Sequence, residues 1–161
     1  MKKTLWLLAY FGILSACSCH KTPVEPAFQN SFSCKINGQL WEPNGKDGFF
    51  GFQKTLSFYF APNETGLGIY ADNKRDNQFI SIACYCNAQK GIYKMRIGSF
   101  LEFGKVCSFV LDTLKSRTIT LTKIDSVKRI LVGEFDYTVY KTGGTCSDTL
   151  KITDGKFELN Y

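Results

Sequence analysis

The sequence predicts an all-β fold, an antiparallel β-sandwich or partly open barrel of about 8–10 short strands. Three observations predict it. Short segments along the chain alternate apolar and polar residues with the period of a half-buried strand. Turn chemistry separates them, as at Asn37-Gly38, Pro62-Asn63-Glu64-Thr65-Gly66 and Thr142-Gly143-Gly144-Thr145. The composition includes 14 Phe and 8 Tyr, which suit a pleated, half-buried surface. Beyond the N-terminal segment no helical period of useful length occurs.

The folded part starts at Phe32, Cys34 and Ile36, which alternate with Ser33 and Lys35. Asn37-Gly38 is a strong hairpin signal, because both turn positions need positive φ. Residues 39–42 form the return strand, ended by Pro43. Residues 44–51 are rich in Gly and aromatics and predict an irregular loop. Strands follow at residues 55–60 and 67–71, then a polar turn at 72–77. Residues 78–86 predict a central strand covered on both faces, with Ile80, Ile82, Cys84 and Cys86 on one of them. A strand at 91–97, a Gly-containing loop at 98–105 and a strand at 106–111 come next. Residues 112–116 read as a turn. Thr118-Ile119-Thr120-Leu121-Thr122 alternates strictly, with Ile119 and Leu121 pointing in. After a reversal at 125–128, Leu131, Gly133, Phe135, Tyr137 and Val139 share one face of a long strand. Leu150 and Ile152 point in from the next strand. Asp154-Gly155 predicts a two-residue hairpin, and Phe157, Leu159 and Tyr161 return to the core.

The N-terminus has a different logic. Lys2-Lys3 precede an apolar run from Leu5 to Leu14, closed by Ser15-Ala16-Cys17. A positive start, a short apolar middle and small closing residues describe an export signal. The run is short of the about 20 apolar residues that a spanning helix needs. The close Leu14-Ser15-Ala16-Cys17 resembles the lipobox of bacterial lipoproteins. That resemblance implies a signal peptide over residues 1–16 and a lipid, of palmitate type, on Cys17. Acyl chains anchor at about 0.8 kcal/mol per buried methylene, so several hold firmly. Residues 17–30, with Pro23 and Pro26, form an extended tether, and residues 31–161 form the β domain. Ser18 after the lipidated residue resembles the outer-membrane kind. The expected address is therefore the cell envelope, as an outer-membrane lipoprotein held by its membrane anchor.

Composition narrows the function. The net charge of +6 includes Lys2 and Lys3 of the signal, and the remaining basic residues are scattered. No nucleic-acid partner is expected from such a pattern. The sole histidine, His20, lies in the tether. A Ser-His or Cys-His pair within the domain is thereby excluded, as is a His-rich zinc centre. No phosphate-binding Gly-rich loop occurs. Glu134 and Asp136 share one strand face and read as solvated residues rather than a glycosidase pair. Neither a cofactor nor a metal is expected, and the reading is non-enzymatic.

The 7 cysteines fit an exported disulfide carrier. With Cys17 acylated, the first expected pair is Cys107 with Cys146. The second is Cys34 with Cys84 or Cys86, which leaves Cys19 unpaired. Cys84 and Cys86 lie roughly 6.5–7 Å apart on one face of a regular strand, too far for a bridge. Their competing reading is a soft-metal or redox site, for which the C-x-C pattern is a weak signal. Trp41, Phe49 and Phe50 are the candidate binding aromatics, for stacking on a glycan or a partner protein. Their competing role is to cap one end of the sandwich.

The segments Phe32-Ser33-Cys34-Lys35-Ile36-Asn37-Gly38, Thr118 through Asp125, Gly133-Glu134-Phe135 and Ile152-Thr153-Asp154-Gly155-Lys156-Phe157 together resemble a family of small β-rich lipoproteins of unknown function from Bacteroidota. The resemblance spans roughly residues 30–161 and carries no catalytic residues. Cys34 departs from it, where a small apolar residue is usual. Asp112-Thr113-Leu114, Asp125-Ser126-Val127 and Asp148-Thr149-Leu150 are similar to the O-glycosylation sequon of Bacteroidota, which makes Thr113, Ser126 and Thr149 candidate sites. The expected function is a membrane-anchored envelope module that binds a glycan or an envelope protein. A purely structural envelope protein is the alternative, and a histidine-free carbohydrate-active enzyme stands behind both.

Overall fold

The computed structural model describes residues 29–45, 55–61, 64 and 66–161. Among these residues ten strands make one antiparallel sheet. They are β1 (Ser31–Ile36), β2 (Gln39–Trp41), β3 (Leu56–Ala61), β4 (Gly66–Asn73), β5 (Gln78–Cys84), β6 (Gly91–Glu102), β7 (Cys107–Leu111), β8 (Arg117–Asp125), β9 (Ile130–Gly143) and β10 (Thr149–Asn160). A 3₁₀ turn, Phe103–Lys105, joins β6 to β7. The order across the sheet is β2-β1-β10-β9-β7-β6-β5-β4-β3, with β8 also between β6 and β9.

β7 and β8 share one lane. β7 pairs with residues 99–102 of β6 and 139–143 of β9, and β8 pairs with residues 91–94 of β6 and 130–137 of β9. Residues 112–116 leave the lane between the two pieces. Asp112 Oδ1 accepts the Leu114 N–H at 2.9 Å, while Asp112 N still donates to Thr138 O at 2.9 Å. The side chain thus closes the excursion locally and the ladder continues past it.

The sheet curls so that its inner face encloses one core. That core unites Phe32 and Trp41 near one end of the sheet with Leu67 and Ile69 near the other. At one corner the two ends touch. Asn44, just past β2, bridges Asn73, with Lys74 N donating to Asn44 O at 2.7 Å. Phe60 of β3 meets Tyr161 edge-on at 4.9 Å. Among the described residues β3 and β2 do not pair, and the sheet those residues form is not a closed barrel. Among the described residues no helix is long and apolar enough to cross a membrane.

The alternation patterns hold where they are strictest. Ile119 and Leu121 are buried, as are Leu131, Gly133, Phe135, Tyr137 and Val139. Three expectations are corrected. The loop at 98–105 is mostly strand: β6 runs on to Glu102, and Gly98 is buried with Leu111, Met95 and Tyr137 at 3.0 Å from where its Cβ would stand. The strand at 78–86 ends at Cys84. Asp154-Gly155 is no hairpin but a bulge within β10, which shifts register against β9 between Ile152 and Gly155. Asp154 takes φ 52°, its N–H donates to Asp136 Oδ1 at 3.0 Å, and its carboxylate meets Lys35 Nζ at 2.9 Å. Local turn chemistry was present, but residues 156–160 had neighbours already waiting in β9, so the chain kinked and continued.

The β9–β10 contact is interlocked. Gly155 faces Phe135, and Phe157 faces Gly133. A Cβ on Gly155 would stand 2.5 Å from Phe135 O, and one on Gly133 would stand 2.6 Å from Thr120 O; each would also overlap the facing phenyl ring. Phe32 also stacks on Phe135, at 5.0 Å. Gly155→Ala is expected to cost about 1–3 kcal/mol by overpacking. Urea unfolding monitored by circular dichroism checks this, and an unchanged midpoint would contradict the interlock.

Candidate functional site

An open cleft of about 730 Å³ lies at one end of the curled sheet. It falls within the range of about 300–1,000 Å³ that ligand sites occupy. Four separate segments build it. The β1–β2 hairpin contributes Asn37, Gln39, Leu40, Trp41 and Glu42. The β4–β5 turn contributes Asn73, Asp76 and Gln78. Glu102 and Lys105 come from the end of β6 and the 3₁₀ turn, and Thr145, Cys146 and Ser147 from the β9–β10 connection. Phe100, Phe109 and Leu150 supply the apolar floor.

Each wall is held from behind. Asn37 exchanges two hydrogen bonds with the Lys151 backbone, at 2.8 and 2.9 Å, which fixes the hairpin tip on β10. Trp41 is buried, packs edge-on against Phe32 at 6.1 Å, and donates its indole N–H to Gln78 Oε1 at 2.8 Å. The buried Asn73 side chain donates to Asp76 Oδ2 at 3.0 Å and accepts the Asp76 N–H at 3.1 Å. These two bonds set the β4–β5 turn. Lys105 Nζ lies 3.0 Å from Glu102 Oε1. The Cys107–Cys146 link, with Cα atoms 6.2 Å apart, ties the β9–β10 connection to the start of β7. Lys141 reinforces it through Cys146 O at 3.1 Å and Asp148 at 3.0 Å.

The arrangement offers amide and carboxylate groups around an apolar floor, with one cationic side chain, Lys105, among the described lining residues. Acceptors in excess over cations suit a ligand rich in hydroxyl donors. Glu102, Cys107 and Cys146 bring ligand-type atoms within 4.8 Å of one another. The two sulfurs are bonded to each other, and a disulfide has no thiolate to give a metal. Comparison with family models, with curated proteins and with solved structures returned no match. The chemistry of the cleft therefore rests on its own residues.

The residues singled out from the sequence fall in different places. Trp41 is not the exposed platform that was expected; it is a buried wall of the cleft. Phe49, Phe50 and Cys17 lie outside the described residues. Three further aromatics, Tyr59, Tyr85 and Tyr140, are exposed but do not line the cleft. Thr113, Ser126 and Thr149 are all exposed. The first two sit in matching turns, where Asp112 and Asp125 each accept the N–H two residues on. Leu114 and Val127, which close those triplets, are 93% and 92% exposed, so packing does not account for them. Glu134 and Asp136 lie on the outer face, where Asp136 serves the β10 bulge; burial raises its carboxyl above the ordinary value.

Cys107 with Cys146 forms as expected. Cys34 does not pair with Cys84 or Cys86; all three are free and buried. Position along β5 gives the reason: Cys34 lies opposite Trp41, which meets Gln78 at the start of β5, while Cys84 ends that strand roughly 20 Å farther on. Burial pushes the Cys34 thiol up to about 12, so it stays protonated. Sequence reasoning missed Gln78, Glu102 and Lys105 as cleft residues and took residues 72–77 for a plain polar turn. The Asn73–Asp76 spacing was a signal for a fixed turn, but nothing local says what the turn faces.

Removing the Cys107–Cys146 link, which closes a sequence separation of 39 residues, is expected to cost about 4 kcal/mol in the chain-entropy account. A Cys107→Ala, Cys146→Ala double variant compared by urea unfolding tests it. A midpoint equal to the parent's would mean that the link does not constrain the chain.

Proposed function

We propose that this chain is a membrane-anchored cell-envelope lipoprotein whose β domain is a non-catalytic binding module, with the cleft taking a glycan. The single observation that carries the binding reading is the cleft itself, a hollow whose lining is anchored at Asn37, Asn73, Asp76, Gln78 and Glu102. A purely structural protein has no need of one. A sugar presents hydroxyl donors to Glu42, Asp76 and the amides, and an apolar ring face to the floor.

Placement supports the same reading. β1 enters at Ser31 and runs about 20 Å before reaching the hairpin that borders the cleft. Asn30 sits beside the far end of β10, where its side chain accepts the Asn160 N–H at 2.7 Å. A lipid on Cys17 would therefore hold the domain from the end opposite the cleft. Residues 17–30 reach at most roughly 50 Å when fully extended.

Two measurements test the parts separately. Metabolic labelling with a fatty acid is expected to mark the parent protein and leave Cys17→Ser blank and released from membranes; an unlabelled parent removes the anchor. Binding to a panel of envelope glycans is expected to fall at least tenfold in Gln39→Ala and Glu42→Ala, with melting unchanged. Equal binding by both variants moves the ligand elsewhere.

Thr113, Ser126 and Thr149 belong to this proposal as O-glycosylation sites. Their exposure, and the unpacked aliphatic residues at two of the triplets, support it. Intact mass spectrometry is expected to exceed polypeptide plus lipid, and the excess is expected to fall stepwise with Thr113→Ala and Ser126→Ala. A mass equal to polypeptide plus lipid rules the modification out.

A further inference from the structure

A second hollow is lined by Tyr59, Ala83, Cys84, Tyr85, Arg96 and Ile97. It shares no lining residue with the cleft. Tyr59, Gly68, Ala83 and Ile97 are register neighbours across β3, β4, β5 and β6. Leu67, Ile69 and Ile82 turn into the core, so this row faces the other way. Its two middle members are small, which leaves a floor between the larger side chains. Any side chain at Gly68 would collide with the Tyr59 ring, so that ring lies down over the glycine. Tyr70 stands beside it, with ring centroids 6.4 Å apart.

β6 supplies the charge. Ala83 pairs with Ile97 and Cys84 with Met95, so Arg96 is an extra residue bulged out of the ladder. Bulges of this kind re-aim a side chain. Here the Arg96 guanidinium stands over the Tyr85 ring, 3.9 Å from its centroid. The ring holds the cation but offers no oxygen acceptor to its N–H groups. The ion pairs among the described residues all use lysine, and Arg96 is in none of them.

We propose that this hollow binds the ring of an acidic sugar, one that carries a carboxylate or a phosphate. The anion pairs with Arg96, whose planar fork suits either group through two parallel hydrogen bonds. The apolar face of the sugar lies on Tyr59 and Ala83, and the exposed Tyr85 borders it. At about 270 Å³ the hollow is just smaller than the about 300–1,000 Å³ of ordinary ligand sites, so it takes a single ring. The cleft selects by the opposite sign: Glu42, Asp76 and Glu102 outnumber Lys105 there and disfavour an anion. The proposal stands whether or not the cleft binds.

Calorimetric titration of the full chain with glucuronate, glucose 6-phosphate, glucose and acetate tests it. At least one of the two acidic sugars is expected to bind at least tenfold more tightly than glucose or acetate, and less tightly as salt rises. Arg96→Gln is expected to lose at least tenfold, and Ala83→Leu, which fills the floor, to lose as much with melting unchanged. Gln39→Ala, at the cleft, is expected to bind the acidic sugar like the parent. Acetate or glucose binding as tightly as both acidic sugars would overturn the proposal. So would parent-like binding by Arg96→Gln, or a loss confined to Gln39→Ala. Arg96 is exposed, so its variant decides the matter even where Ala83→Leu fails to fold.

Discussion

The structure depends on the mutual fit of β9 and β10. Each strand offers the other one phenyl ring and one glycine, in opposite order, so that every ring lies over a position with no side chain. Two large rings directly opposite each other would force the strands apart, and two glycines would leave a void. Phe135 is held further by Phe32, which stacks on it from β1. With β9 and β10 locked, β1 can dock on one flank and the β7–β8 lane on the other. The Asp154 bulge is part of the same device. It absorbs one register shift while Asp136 and Lys35 hold it in place.

The cleft inherits its precision from this frame. Asn37 is positioned by β10, and the β9–β10 connection is tied down at Cys146. The β4–β5 turn reaches the same mouth only because the sheet curls and Asn44 meets Asn73. Curvature, rather than any one loop, brings the four segments together.

What was legible in the sequence was facing, not neighbourhood. Strict alternation identified which side of β8 and β9 looks inward, because burial on one face imposes a period of two. It also led to the Cys107–Cys146 pair through their places beside C-terminal strands. Alternation does not say which strand lies next to which. Trp41 was therefore taken for a surface aromatic, although the curl brings Gln78 and Phe32 against it. Asp154-Gly155 carried the right residues for a tight turn but had the wrong partners for one. Residues 98–105 looked like a loop because glycine normally weakens a strand, whereas Gly98 is buried where three side chains crowd in. The cleft residues were invisible for a similar reason, being spread over more than a hundred positions of chain.

The divided lane of β7 and β8 has one more consequence. Both pieces lie between the same two neighbours, so the ladder on either side forms whatever the length of the excursion at residues 112–116. Doubling such a loop costs only about 0.6 kcal/mol in closure entropy. This is the natural graft point of the molecule: an epitope, a fluorophore tag or a whole guest domain inserted there would ride on the outside while the host sheet assembled around its unchanged register.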